Sequence, residues 1–107
     1  MFLGLFLKEY LKMDIRIEND KEHHLFFCML GDNMAKLRYD VLPDGETLEY
    51  LSTHVPPEFQ GQHIAQKMVK FALDYARKNH YKIIPSCSFV RSYIEHHPEE
   101  QDLVRID

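Results

Sequence analysis

Around the Pro56-Pro57 pair, the spacing of apolar residues changes from two to helical. Ahead of it, AKLRYDVL places Ala35, Leu37, Tyr39 and Val41 on one face and Lys36, Arg38 and Asp40 on the other, the alternation of a half-buried strand. Beyond it, Ile64, Met68, Phe71 and Tyr75 form one row and Ala65, Val69, Ala72 and Ala76 the row beside it. That is the wide apolar face of a helix lying on a sheet. One chain holding both periods is expected to fold as α+β (α/β).

Turn signals divide the first half into four strands. DIRIE (Asp14 to Glu18) carries isoleucines at period two ahead of the turn-like NDKE, and HLFFCML (His24 to Leu30) ends at the turn Gly31-Asp32-Asn33. PDGE (Pro43 to Glu46) is a hairpin signal in which Asp-Gly supports positive φ, and the fourth strand runs from Thr47 to Val55. The helix is expected over His63 to Lys78 with Asn79 as a left-handed C-cap. A short fifth strand follows at Lys82 to Ile84, then a helix in SFVRSYIEHH and a last helical turn from Pro98. The early strands can be antiparallel, while strand four, helix and strand five can form a right-handed parallel crossover. This predicts a mostly antiparallel sheet of about five strands with one parallel pair.

The 107 residues suit a single domain. An apolar extension, residues 1–12 (MFLGLFLKEYLK), precedes a domain over residues 13–107; the extension lacks a basic n-region and a small-residue cleavage site, and no chemistry is assigned to it. No apolar run nears the roughly 20 residues of a membrane span. A formal charge of −4 argues against a general nucleic-acid binder. Gln60 to Arg91, however, holds six basic residues against the single acid Asp74, which suits a small anionic ligand. Cys28 and Cys87 form no C-x-x-C pair, so a reduced, cytoplasmic protein is expected. The histidines come as His23-His24, His96-His97 and lone ones rather than at chelating i, i+4 spacing, so no metal is expected.

The helix start, Gln60-Gly61-Gln62-His63-Ile64-Ala65, offers no Ser, Thr, Asp or Asn to cap its free N–H groups. Two readings stand on these residues: a hydrated first turn, or an anion held by free amides and the helix dipole. In the second, Gly61 lets backbone approach the ligand closely.

The order strand, Pro-Pro, Gln-Gly-Gln-x-Ile-Ala, helix, short strand resembles the GNAT superfamily of acetyltransferases, in which a Q/R-x-x-G-x-G/A loop wraps the pyrophosphate of acetyl-CoA. More closely, the chain is similar to a small, truncated GNAT-like family, the N-acetyltransferase domain-containing proteins. The similarity rests on Val55-Pro56, Gly61, Ile64-Ala65, Ala72-Leu73, Ala76-Arg77, Pro85, Cys87, Phe89-Val90, Tyr93 and His97-Pro98-Glu99, and covers roughly Asp14 to Val104. One departure stands out. His63 occupies the usual central glycine position, where a side chain either crowds the pyrophosphate, takes an unfavourable positive φ, or adds an imidazolium hydrogen bond.

The resemblance implies an acetyl-CoA-dependent N-acyltransferase, with Val55, Gln60, Gly61, Gln62, His63, Ile64 and Ala65 binding acetyl-CoA. It implies that strands four and five splay and that pantetheine pairs with free backbone near His54 and Val55. Lys67 or Lys70 either meets the 3′-phosphate or is a solvated lysine. Cys87, ahead of a helix N-terminus, is an acyl-accepting nucleophile, a wall of the thioester pocket, or core packing; Cys28 reads as packing. For direct transfer, Tyr93 is the candidate acid, with packing beside Phe89 as the other reading. Glu49 and His54 are candidate bases, expected on opposite sheet faces because their positions have opposite parity. The acceptor would be a small amine or a peptide or protein amine on an open surface, the chain a monomer or weak dimer. The alternative is a non-catalytic CoA-binding or interaction module.

Overall fold

The computed structural model describes residues 15–106; the apolar extension 1–12 lies outside them. The elements are β1 (Glu18–Asp20), β2 (Leu25–Leu30), β3 (Asn33–Val41), β4 (Thr47–His54), α1 (Ile64–Lys78), β5 (Lys82–Pro85) and α2 (Ser88–Glu95). Short 3₁₀ segments lie at Pro57–Phe59 and Pro98–Leu103. The sheet order is β1-β2-β3-β4-β5, antiparallel except for the parallel β4–β5 pair. Both helices contribute to a core on one sheet face. The α+β architecture with its parallel pair is as expected.

Hairpin chemistry sets the register. Gly31, at φ +64, sits in the two-residue turn that pairs Leu30 with Asn33. In the next hairpin the Asp44 carboxylate accepts from Glu46 N–H (2.8 Å), Thr47 N–H (3.1 Å) and the Thr47 hydroxyl (2.9 Å). These bonds hold the Asp44 carboxyl below its ordinary pKa, the Glu46 amide most of all.

Two boundaries differ from the sequence expectation. The expected strand Asp14 to Glu18 begins outside the described residues at Asp14; among the described residues the first strand is Glu18–Asp20, and Ile15 and Ile17 pack against the core without joining a ladder. Alternation marks extended chain, but only a partner makes it a strand, and β2 pairs with residues 18 to 20. The left-handed residue after α1 is His80 (φ +63), not Asn79, whose φ is −103. His80 N–H bonds Arg77 C=O and Tyr81 N–H bonds Ala76 C=O, a Schellman closure. Asn79 instead donates its side-chain amide to Tyr75 C=O at 2.9 Å.

The core is built on alternation. Phe26 and Cys28, Leu37 and Tyr39, Leu48 and Tyr50 point inward from β2, β3 and β4. From α1 come Met68, Val69, Ala72, Leu73 and Ala76, while Phe71 is 37% exposed, so the buried stripe is rotated toward Leu73. Phe26 meets Tyr50 and Tyr75 edge-on at 5.9 and 5.4 Å. Buried Tyr50 donates its hydroxyl to Ala72 C=O, tying β4 to α1. Burial raises its pKa well above the ordinary value.

The tail takes up part of the basic stretch. Glu100, 2% exposed, accepts from Lys70 (3.2 Å) and Arg77 (3.1 Å), and Arg77 also forks onto Asp102 at 2.8 and 2.9 Å. Lys82 donates to Asp102 C=O. Val104 bridges Ile83, and Arg105 N–H bonds Ile83 C=O, so the tail covers the free edge of β5. Glu100→Ala removes two charged hydrogen bonds to a buried carboxylate. It is expected to lower unfolding free energy by about 2 kcal/mol, read as an earlier urea midpoint; an unmoved midpoint would mean the tail is not held by these pairs.

Candidate functional site

β4 and β5 stay paired only from Thr47↔Lys82 to Tyr50↔Pro85. There the Cys87 N–H takes the Tyr50 carbonyl at 2.8 Å, and the chain turns away into α2. β4 runs on to His54 without β5 beside it, leaving a strand edge open. One residue later in the ladder the β3–β4 register shifts: Arg38 pairs with Ser52 and Tyr39 with Tyr50, making Leu51 the extra residue of a β-bulge. Bulges re-aim the side chains that follow them. Here Thr53, opposite Leu37, turns to the core side.

The bulge corrects one expectation. Glu49 pairs with Asp40 and His54 with Lys36, both on the outer face of β3. The extra residue restores equal parity, so Glu49 and His54 share the outer face rather than opposing faces. Glu49 accepts the Ser86 hydroxyl across the β4–β5 boundary.

A cleft of about 470 Å³ lies between the open end of β4 and the starts of the two helices. Thr53 and Val55 line it from the strand, and Phe59, Gln60 and Gly61 from the loop. His63, Ile64, Ala65 and Gln66 close it on one side and Phe89 on the other. Six of the seven residues expected to bind the cofactor therefore line one cleft; Gln62 does not. Gln60 Nε2 donates to Val55 C=O at 3.2 Å, so its side chain addresses the strand edge.

The start of α1 carries no side-chain cap. Lys67 is the first residue whose N–H finds a helical partner, the His63 carbonyl at 3.1 Å, so the amides of Ile64, Ala65 and Gln66 precede the ladder. Their N–H groups and the helix dipole favour an anion. Gly61 sits at φ +85, and a Cβ there would meet nothing within 4 Å, so backbone conformation rather than crowding requires glycine. His63 sits at φ +62, the left-handed region, which gives a physical reason for glycine at this place in the motif. Its ring turns along the helix, Nδ1–H donating to Gln66 Oε1 at 2.6 Å.

The three catalytic candidates lie in three separate places. Cys87 is 7% exposed, belongs to the core, and shares a 3.3 Å hydrogen bond with Thr53 Oγ1, behind the cleft wall. His54 is exposed on the outer face. Tyr93 stacks on His97, not Phe89, with ring centroids 3.9 Å apart. It lines a second, shallow cleft of about 460 Å³ with His63, Gln66, Lys67, Lys70 and His97. Burial raises the Tyr93 pKa, nearby carboxylates adding to the effect and Lys70 opposing it. Within that cleft Lys70 is already paired with Asp74 and Glu100, while Lys67 makes no side-chain bond to another described residue. Sequence reasoning did not pick out Thr53, Phe59, Gln66 or Phe89. A bulge leaves no mark in residue spacing, and Phe89 entered only as a motif residue and a packing neighbour of Tyr93. Among the described residues no group of three or more His, Cys, Asp or Glu could hold a metal, and no helix is long and apolar enough to cross a membrane.

The positive φ makes a measurable prediction. A left-handed non-glycine residue costs roughly 1–2 kcal/mol, so His63→Gly is expected to raise unfolding free energy by about 1 kcal/mol. Thermal melts check it; a fall in melting temperature would mean the ring's bond to Gln66 outweighs the strain.

Comparison with known proteins agrees with this geometry. A family profile described as GCN5-related N-acetyl-transferase matches residues 26–103. Protein NATD1 from Danio rerio is 28% identical over 94 residues, spanning 86% of this chain and 84% of the relative. The Xenopus tropicalis protein of the same name is 29% identical, over 86% of this chain and 85% of its own length. Among solved structures, the solution structure of a GCN5-like putative N-acetyltransferase from Staphylococcus aureus superposes with a TM-score of 0.67 at 27% identity, covering 87% of this chain and 90% of that one. The chain belongs to the GCN5-related N-acetyltransferase family.

Proposed function

We propose that this protein is an acetyl-CoA-dependent N-acetyltransferase acting on an amine. The observation that carries this is the uncapped start of α1 opening into the same cleft as the unpaired edge of β4. The residues present fit the ligand. First-turn amides and Gly61 suit a diphosphate, and the β4 edge near Val55 suits the amides of a pantetheine arm, added as a strand would be. Gln60 Nε2 on the Val55 carbonyl already makes the kind of bond such an amide would make.

The thioester supplies an activated acetyl group. The chain's own part is to orient it, exclude water with Phe59 and Phe89, and take the proton of an incoming ammonium. Glu49, just before the point where β4 and β5 part, and His54 beyond it, both on the outer face, are the bases in this scheme. Tyr93, one turn after Phe89, is the acid for the departing thiolate. A tyrosine hydroxyl, with an ordinary pKa of about 10, carries its proton at neutral pH, and burial raises the Tyr93 value further. The burial of Cys87 behind Thr53 favours direct transfer over an acyl-cysteine. With labelled acetyl-CoA, label is expected on the amine and not on the protein; label lost on Cys87→Ala would restore the covalent route.

The separation of Cys87 in the core, His54 on the outer face and Tyr93 in the second cleft favours a second reading, a CoA-binding module without catalysis. Both readings require CoA to bind, and only the first requires product from a panel of amines and peptides. Gln66→Glu tests the shared anion site. A carboxylate in the first turn stabilises a helix by roughly 0.3–1 kcal/mol while opposing a diphosphate. Affinity for CoA, measured by calorimetry, is expected to fall about tenfold, a change of about 1.4 kcal/mol, with no loss of melting temperature. Unchanged affinity would move the diphosphate elsewhere.

A further inference from the structure

Thr53 and Cys87 have no assigned role beyond packing, yet they stand together at one end of the cleft. Of the lining residues, Thr53 lies furthest back along β4, toward the point where β4 and β5 separate at Tyr50. It faces inward only because of the bulge at Leu51; without the extra residue, position 53 would point to the outer face. Behind it, the Cys87 sulfur lies 3.3 Å from Thr53 Oγ1 and is itself 7% exposed, so the space beyond the Thr53 side chain is filled. Cys87 cannot easily retreat, since its N–H is bonded to Tyr50 C=O and its carbonyl takes the Arg91 N–H at 3.0 Å. The other nearby walls, Val55, Phe59 and Phe89, are apolar and would accept a longer hydrocarbon chain.

We propose that Thr53, backed by Cys87, is the stop that limits the acyl group of a bound thioester to two carbons, so the pair determines acyl-chain selectivity. This rests on the reading of the cleft as a CoA site: with the diphosphate at α1, the thioester end runs along β4 toward Thr53. Each added methylene then meets a filled wall, and a methylene in a closed pocket is worth roughly 10–200-fold in discrimination.

The test measures binding of CoA, acetyl-CoA, propionyl-CoA and butyryl-CoA to wild type, Thr53→Ala, Thr53→Val and Cys87→Ala by calorimetry, with thermal melts on each. Wild type is expected to bind acetyl-CoA about tenfold or more tightly than butyryl-CoA. Thr53→Ala opens the wall and is expected to reduce that ratio about tenfold. Thr53→Val keeps the shape and discards the hydroxyl, so the ratio is expected to stay. Cys87→Ala deepens the space behind Thr53 and is expected to admit butyryl-CoA better than wild type does. Free CoA is the control that separates the two claims. If CoA fails to bind folded wild type, the underlying reading falls and this one with it. If CoA binds all four proteins and the ratio is flat or unmoved by Thr53→Ala, only the selectivity role is overturned. A ratio lost equally in Thr53→Val would also overturn it, placing discrimination in the hydroxyl rather than in the wall.

Discussion

The hydrogen bond from Cys87 N–H to the Tyr50 carbonyl is where β5 leaves the sheet. Up to Tyr50, β4 has β5 as a parallel partner; after it, β4 keeps only β3 as a partner and the chain beyond β5 departs into α2. Backbone groups on a strand edge need partners or solvent, so the divergence creates an open cleft wall. Tyr50 anchors both sides of that junction: its carbonyl receives Cys87 and its hydroxyl reaches Ala72 within α1. The helix whose first turn closes the cleft is thereby fixed to the strand whose edge opens it.

A bulge one residue further on decides what faces that opening. Leu51 is unpaired in the β3–β4 ladder, and this single insertion inverts the facing of every later β4 side chain. Thr53 enters the cleft, while Glu49 and His54 come to lie on one outer face. An acceptor approaching from outside would meet both. The opposite side of the sheet carries the helices and the anion-favouring amides of Ile64 to Gln66.

Electrostatics in this domain are more local than the charge distribution along the chain suggests. Lys70, Arg77 and Lys82 form much of the basic run in the middle of the sequence, yet Glu100 and Asp102 take them up when the C-terminal turn folds back. At the start of α1, what favours an anion is backbone, with Lys67 beside it on the same helix. Burying Glu100 against two cations also fixes the turn that leads Val104 to the β5 edge.

Most of the architecture was readable from spacing. The alternation of Ala35, Leu37 and Tyr39 identified β3, the Asp44-Gly45 hairpin its junction with β4, and the helical rows from Ile64 the crossover helix. These signals are local, because a side chain's direction repeats with its own element's period. The uncapped helix start at His63 was legible for the same reason: a cap is a matter of a few adjacent residues. Ile15 and Ile17 were misread as a strand, since a ladder needs a partner that local pattern does not supply. The positions of Thr53, Glu49, His54 and Cys87 relative to one another followed from the bulge and the strand divergence, which depend on how β3, β4 and β5 meet. The amino-acid order by itself determined the elements, their sequence and the bare amides at the start of α1; tertiary packing alone decided which side chains share the cleft, because register is a relation between strands distant in the chain.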